Sequence, residues 1–365
     1  MKELDKGTHR RKSGGQHAPS LWSMWTTAPL AVLFAGGLCV LIFWGLHRLA
    51  GDSKPPTSNL DLIKTTLTVA ALIAAVLTGV YAYRKQRVAE GDASRADAQH
   101  LADLYAKAAE QLGHANAAVR LAGVYAMTQL ADDWKSRRQA CIDVLCAYVR
   151  MPYDPSPESP IYKEGERTVR STVLRVIREH LKNPSHCDTW CGSDLDFTGA
   201  YFDEGSFSEC NFIKCEVLFD YCTFTGGATY FYDAKFRDAE IHFFNAKFKD
   251  ATIHFDDSSF SSVHLYLVDN NADSSRFNFE DCSFEGCVLD LCKSKYLRAD
   301  INFTAATFDH ETSISFKGST FELGSIEFTR AAQDDCRFDL HESQTKSTSV
   351  DLGPFVETQG PNLSI

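Results

Sequence analysis

The sequence predicts an α + β-solenoid protein: an N-terminal transmembrane hairpin of two helices, a helical segment, and a repeat domain folded as a solenoid. Three observations predict this class, namely two long uncharged stretches near the N-terminus, helical apolar spacing in the middle, and a regular repeat in the second half. The expected organisation is a basic cytoplasmic N-terminus at 1–27, the hairpin at 28–83, the helical segment at 92–182, the solenoid at 193–341 and a polar tail at 342–365.

The hairpin is predicted to span the membrane at residues 28–47 and 64–83. Each stretch has about the ~20 residues that a helix needs to cross a bilayer core. Basic residues precede the first span and follow the second, while only Arg48 and Lys54 lie clearly between them. Both termini are therefore expected in the cytoplasm. A cleaved signal peptide is the alternative for the first stretch, but its long apolar run without a small-residue cleavage site argues against it.

Charge and cysteine usage indicate the surroundings of the two halves. Residues 1–186 carry 24 Lys+Arg and 17 Asp+Glu, whereas residues 187–365 carry 13 and 31. The basic half suits a membrane surface, and the acidic half suits solvent or a basic partner. The chain has 12 cysteines, whose placement in the repeats favours free thiols in a reducing compartment.

The helical segment shows apolar residues at helical spacing, broken by turn signals. Gly113 is expected to end one helix and Asn116 to cap the next. Ser136 and Gln139 have the spacing of a capping box for a third helix. The proline-rich stretch 152–160 then predicts a break.

A fourth helix is expected at about 166–182, with one apolar and one basic side. The basic side carries Arg167, Arg170, Arg175, Arg178 and Lys182. Such a helix can contact anionic lipid or nucleic acid. We favour the simpler interpretation that it covers the open end of the following solenoid, because sheet edges need covering.

The repeat begins with a period of five and continues with a period of twelve. Eleven twelve-residue units follow one another from Cys210, with one extra residue in the ninth. Short apolar-x-apolar triplets such as Ile241–Phe243 predict in-out-in strands that stack into one continuous core. Sides of five and seven residues would give four sides per turn, a count that the pattern alone leaves open. The phenylalanines expected in the core are Phe197, Phe202, Phe207, Phe212, Phe224, Phe236, Phe248, Phe260, Phe284, Phe308 and Phe321.

These repeats, preceded by the motifs at 110–113, 119–125 and 144–150, resemble the pentapeptide-repeat family. The resemblance is to bacterial, actinobacterial-type proteins that carry such repeats on a two-span membrane anchor. It implies a right-handed quadrilateral β-helix and a bacterial plasma-membrane protein with its repeats in the cytoplasm. It implies no biochemical activity.

The cysteines can be interpreted as ligands or as core residues. Six of them fall at the small, inward positions of the units, where cysteine acts as a small apolar residue. Their positions are Cys210, Cys215, Cys222, Cys282, Cys287 and Cys336. Cys187 and Cys191, next to His186, lack the two-residue spacing of a zinc knuckle, so no metal site is expected there.

Histidines and paired carboxylates give a second set of candidates. His242, His254 and His264 occupy outward positions of successive units and would either stack as a metal site or form a surface ladder, which we favour. The pairs Asp256-Asp257 and 334–335 suggest acid–base chemistry or calcium, but acidic solenoid corners explain them better. We see no nucleophile elbow, phosphate loop or HExxH motif. No catalytic, cofactor-binding or metal-binding residue is therefore expected.

The predicted function is a membrane-tethered cytoplasmic scaffold that binds an unidentified protein, with the lipid bilayer as its other partner and no catalysis. Small residues at Ala71, Ala75 and Gly79 allow a helix pair or an oligomer. An acidic DNA mimic that protects gyrase is an alternative, but interleaved basic residues and the anchor make nucleic-acid mimicry the weaker choice. A carbohydrate-active β-helix enzyme is a further alternative, which the cytoplasmic topology disfavours.

Overall fold

The computed structural model describes Leu33, Gly36, Gly37, Val40 and Trp44, together with residues 59–334 and 336–353. The chain divides into two compact units, 1–100 and 101–365. Helix α1 (Asn59–Leu112) begins in the first unit, and its last turns belong to the second.

The first unit contains the regions predicted to cross the membrane. Residues 28–47 lie almost entirely outside the described residues, whereas residues 64–83 lie in α1. In the parts of the chain that the structure describes, no helix combines the length and the apolarity needed to cross a membrane. The transmembrane hairpin stays a prediction from the sequence.

The second unit opens with three further helices, α2 (Ala117–Asp133), α3 (Arg138–Arg150) and α4 (Glu166–Leu181), and with a 3-10 turn at Lys135–Arg137. Helix α1 ends at Leu112, directly before Gly113, as expected from the sequence. Asn116 caps α2 as predicted, because its side-chain oxygen accepts a hydrogen bond from the Ala118 amide at 2.9 Å.

The capping box predicted at Ser136 and Gln139 is wrong. Ser136 lies in the 3-10 turn, and α3 begins without a side-chain cap. Gln139 Nε2 instead donates to Asp143 Oδ1 at 2.7 Å and to the Asp194 carbonyl at 2.8 Å, and its Oε1 accepts from the Asp194 amide at 3.1 Å. The side chain thus fastens α3 to the beginning of the repeat domain.

The repeat domain is a β-solenoid with four parallel sheets. The first sheet contains β1 (Leu195–Asp196), β5 (Glu216–Leu218), β9 (Glu240–His242), β13 (His264–Tyr266), β17 (Val288–Asp290), β21 (Ser313–Ser315) and β25 (Arg337–Asp339). The second contains β2 (Tyr201–Phe202), β6 (Thr223–Thr225), β10 (Lys247–Lys249), β14 (Asn271–Asp273), β18 (Lys295–Leu297), β22 (Thr320–Glu322) and β26 (Gln344–Lys346). The third contains β3 (Gly205–Ser206), β7 (Ala228–Tyr230), β11 (Thr252–His254), β15 (Arg276–Asn278), β19 (Asp300–Asn302), β23 (Ser325–Glu327) and β27 (Ser349–Asp351). The fourth contains β4 (Asn211–Ile213), β8 (Lys235–Arg237), β12 (Ser259–Ser261), β16 (Ser283–Glu285), β20 (Thr307–Phe308) and β24 (Ala332–Gln333).

The pairing register shows how many residues make one turn. Lys247 of β10 pairs with Thr223 of β6, 24 positions earlier, so two twelve-residue units complete a turn. From β4 to β20 successive strands begin alternately five and seven residues apart, and four strands make each turn, which confirms the four-sided arrangement. Strand pairs that span the extra residue of the ninth unit have a register of 25, as in the pair of Asp300 with Ser325. The register returns to 24 in the next turn, where Ser325 pairs with Ser349.

Stacked aromatic rings fill the interior. None of the eleven phenylalanines expected in the core is more than 3% exposed. The ring of Phe255 lies 4.7 Å from Phe231 and 4.8 Å from Phe279, measured between centroids, and is nearly parallel to both. Where Ala272 interrupts a ladder, Phe277 packs edge-on against Phe248 at 4.8 Å. Aromatic residues of a neighbouring strand therefore fill the core where a unit lacks its phenylalanine.

The corners of the solenoid explain much of its acidity. Many corner residues have positive φ, a conformation that Asp and Asn adopt more readily than most residues with a Cβ. Six of these corner residues are aspartates: Asp233, Asp238, Asp250, Asp257, Asp269 and Asp281. Backbone geometry therefore accounts for a regular supply of carboxylates on the surface.

The strands continue past the predicted end of the repeats. β26 and β27 both lie in the stretch 342–365 that the sequence assigns to a polar tail. Leu352 is buried against the last turn, and Val350 packs partly buried on the core. Phe355 lies outside the described residues.

Candidate interaction surface

Helix α4 covers the first turn of the solenoid, as predicted for the basic helix. Its arginines contact the solenoid: Arg170 donates to the Tyr201 carbonyl at 2.8 Å, and Arg178 donates to the Ser208 carbonyl at 3.0 Å and to Glu209 at 3.1 Å. The apolar side of the helix is buried in the same core through Val169, Val173, Val176, Ile177 and Leu181. Most of the basic side is therefore engaged in capping.

A buried ion pair organises the helices beneath this cap. Arg120 and Glu166 are 3% and 6% exposed, and their Nη2 and Oε2 atoms lie 3.2 Å apart. Tyr148 donates to the same carboxylate oxygen at 2.9 Å, and Arg120 also donates to the carbonyl of Ala115 at 2.6 Å. Burial, followed by the Glu166 charge, raises the pKa of the Tyr148 hydroxyl, which stays a neutral donor.

Gly123 allows a close crossing of α2 with the end of α1. A Cβ atom at Gly123 would lie 2.7 Å from the Leu112 amide nitrogen and 2.9 Å from the Gln111 Cβ. Two of the motifs that carried the family resemblance, at 110–113 and 119–125, therefore meet at this crossing. The second motif also supplies Arg120 to the ion pair.

The cysteines at the small repeat positions are buried, as the register predicts. All six are between 0% and 7% exposed. The thiols of Cys222 and Cys282 donate to the carbonyls of Phe197 and Phe255 at 3.0 and 2.9 Å. Burial raises the pKa of Cys222 to about 12, so this thiol is neutral and a poor nucleophile near neutral pH.

His186, Cys187 and Asp188 lie together near the domain boundary, with their ligand atoms within 4.8 Å of one another. These groups already bond to one another, since the Cys187 thiol donates to Asp188 at 3.3 Å and the Asp188 amide donates to His186 Nδ1 at 3.2 Å. Cys191 instead donates to the Leu181 carbonyl at 3.3 Å. The structure thus separates Cys191 from this group.

The predicted ladder of three histidines is wrong. His242 and His264 lie on the first sheet, but His254 lies on the third, because successive twelve-residue units alternate between opposite sides. His242 stands opposite Tyr266, with ring centroids 5.0 Å apart, and His254 stacks on Tyr230 at 5.1 Å.

The aspartate pair at 256 and 257 is split by its corner. Asp256 Oδ2 lies 2.8 Å from His254 Nδ1, whereas Asp257 has positive φ and is exposed. Asp334 is exposed and Asp335 lies outside the described residues. The first pair therefore does not form a joint carboxylate site.

Sequence reasoning missed a cluster of Glu216, Glu240 and His242 on the first sheet. Their ligand atoms lie within 4.8 Å of one another, although the two glutamates are 24 residues apart in the sequence. The available signal was the recurrence of Glu at the first strand position in consecutive turns. This recurrence can be recognised in the sequence only once the turn length of 24 residues is known.

An open groove of about 290 Å³ runs beside the cap. Leu174 and Arg175 of α4 line one side, and Glu204, Ala228 and Tyr230 of the solenoid line the other. The Arg175 guanidinium donates to the hydroxyl of Tyr125 at 2.6 Å. Exposed tyrosine and arginine beside an apolar floor are typical of protein-binding surfaces.

Comparison with models of known protein families and with curated proteins gave no match. The four parallel sheets and the regular repeats are consistent with a pentapeptide-repeat fold.

Proposed function

We propose that the solenoid is a membrane-tethered scaffold that binds a cytoplasmic protein on its outward surface. The observation that carries the proposal is the division of most strands into a buried inward position and outward positions. In β10, for example, buried Phe248 stands between exposed Lys247 and Lys249. The inward positions build the core, so the outward positions are free to vary for recognition. At roughly 4.8 Å per strand, seven stacked strands present a face about 30 Å long.

The groove beside α4 is the part of this surface best suited to a partner. Tyr230 is 43% exposed, and Tyr232 and Tyr125 are each 49% exposed. Tyrosine offers a large contact area at low entropic cost and keeps a polar group for hydrogen bonding. Arg175 adds a cation for a partner carboxylate.

The tether is proposed from the sequence of residues 28–47 and 64–83. Exposed apolar side chains on α1, including Val69, Leu72 and Leu77, are compatible with an apolar environment around that helix. Protease protection of a C-terminal epitope in sealed membranes, compared with its cleavage after lysis, would test the membrane anchor and its orientation.

The scaffold is tested by placing a photo-crosslinking amino acid on each face of the full chain in host cells. Suitable outward positions are Tyr266 on the first sheet, Lys249 on the second, Tyr230 on the third and Arg237 on the fourth. A scaffold predicts one dominant cross-linked protein from one face, with Tyr230 as the first choice. The same yield from all four faces, or none from any, would contradict the proposal.

A matched variant distinguishes recognition from chance proximity. Arg175→Ala removes a groove side chain that is not needed for the solenoid core. The cross-link from Tyr230 should fall severalfold in this variant, while a low background at Arg237 should not change. An unchanged cross-link at Tyr230 would mean that the groove does not bind the partner.

The DNA-mimic alternative is weakened by two features. Corner geometry favours aspartates such as Asp233 and Asp269 whatever the function. Lys235 and Arg237 on the fourth sheet and Lys247 on the second interrupt the negative surface. A supercoiling assay with purified gyrase tests this alternative, which predicts inhibition.

A further inference from the structure

The outward side of the first sheet carries two glutamates and a histidine on adjacent strands. Glu216 of β5 stands directly opposite Glu240 of β9, and Leu218 stands opposite His242. His242 Nε2 lies 3.5 Å from Glu240 Oε2 and 3.8 Å from Glu216 Oε1. One imidazole nitrogen and two carboxylates thus converge from two neighbouring turns.

Two observations indicate that a cation belongs among these groups. His242 Nε2 is buried but has no hydrogen-bond partner, which is costly for a polar atom. Glu216 and Glu240 are like charges in directly opposed positions, an arrangement that destabilises a sheet unless it is neutralised. Among the described residues, the ion pairs formed by these two glutamates are those with His242.

The separations fit a zinc ion. With Zn–N and Zn–O bonds of about 2.0–2.2 Å, two ligand atoms of a tetrahedral site lie about 3.4 Å apart. The His242–Glu240 separation is already close to this value, and both glutamate side chains are half exposed and can turn inward. Imidazole with two carboxylates is a suitable zinc donor set.

We propose that Glu216, Glu240 and His242 form a divalent-metal site, with zinc as its best-fitting ion. The three side chains fill three positions of a tetrahedron and leave the fourth for water. Phe244 and Tyr266 both pack against the imidazole, with ring centroids 5.4 and 5.0 Å away. Such outer contacts orient a ligand and strengthen a site.

The test is a zinc titration of the full chain against a chromophoric chelator near neutral pH, after removal of bound metal. The informative variants are His242→Leu, Glu216→Gln and Glu240→Gln. His242→Leu should fold because Leu218 already fills the same outward position on the neighbouring strand. We expect one zinc site to be lost in His242→Leu and to weaken at least about tenfold in each glutamine variant, since even outer partners contribute about 10–100-fold.

Two controls keep the outcome specific. His254→Gln changes an outward histidine on β11 of the third sheet and should bind zinc like the wild type. Cys187→Ser removes the thiol of the His186–Asp188 group and should also leave the site intact. Absence of zinc binding, unchanged binding in His242→Leu, or loss of binding in Cys187→Ser would each overturn the proposal. Cobalt substitution provides a second readout, because a nitrogen and oxygen site gives no thiolate charge-transfer band.

Discussion

Residues 101–190 contain the end of α1 and the helices α2, α3 and α4, and are called the helical cap below. This region and the solenoid are stabilised in different ways. In the solenoid the same kind of contact recurs from turn to turn, as in the Phe231–Phe255–Phe279 stack. In the cap the decisive contacts are specific to one place, such as the Arg120–Glu166 pair. Repetition lets the solenoid absorb irregular units, whereas the cap depends on individual residues. Substitutions that lower the free energy of unfolding by similar amounts should therefore affect a whole region in the cap but only neighbouring turns in the solenoid.

The sharpest test is the ion pair in the cap. Glu166→Leu leaves Arg120 as an uncompensated buried charge, which should lower the free energy of unfolding by about 3–5 kcal/mol. Urea unfolding would measure the loss, and hydrogen exchange would show whether it spreads over α2, α3 and α4 together. In the double variant Arg120→Met/Glu166→Leu much of the stability should return. Equal losses in the single and double variants would contradict this account.

A core change in the solenoid should cost a similar amount but stay local. Phe255→Ala removes a ring packed between two others and should destabilise by about 3–5 kcal/mol. Increased hydrogen exchange is expected mainly in the adjacent turns, because each repeat contacts only its neighbours. Phe255→Leu is the matched control and should cost much less, since Leu267 fills the equivalent place in the next unit. Global unfolding on the Phe255→Ala change would remove the distinction between the two regions.

The same contrast explains what the sequence could predict. The solenoid and the burial of the small-position cysteines follow from a pattern that recurs along the repeats, so local errors average out. The capping box failed because Gln139 finds partners at Asp194, 55 residues away, which no local pattern encodes. The histidine ladder failed for a related reason: units of twelve suggest neighbours, whereas turns of 24 place His254 on another sheet. The position of Glu216 directly opposite Glu240 could also not be predicted without this turn length.

A smaller effect is expected at the helix crossing in the cap. Gly123→Ala would place a Cβ atom 2.7 Å from the Leu112 amide nitrogen, so the helices must shift, at a cost of about 1–3 kcal/mol. Gly113→Ala is the control, because its nearest contact would be an ordinary 3.6 Å. Thermal unfolding of both variants measures the difference. Equal melting temperatures would show that the crossing tolerates a side chain.

The smallest effect concerns the solenoid thiols and appears only at high pH. The pKa of Cys222 rises from 9.0 to about 12 on folding, because burial disfavours the thiolate. A raised folded pKa means that the unfolded chain releases this proton first, so the contribution to stability is complete below pH 9 and is lost as the pH rises towards 12.

Cys222→Ala isolates that contribution. Alanine suits the position, since Ala246 occupies the equivalent place one turn later. Between about pH 8 and about pH 10, the urea midpoint should fall further in the wild type than in Cys222→Ala, while tyrosine and lysine titrations affect both chains alike. The stability difference between the two chains should therefore narrow as the pH rises. A stability difference that does not change with pH would show that the thiol can ionise within the folded solenoid. The small inward positions would then be accessible to water.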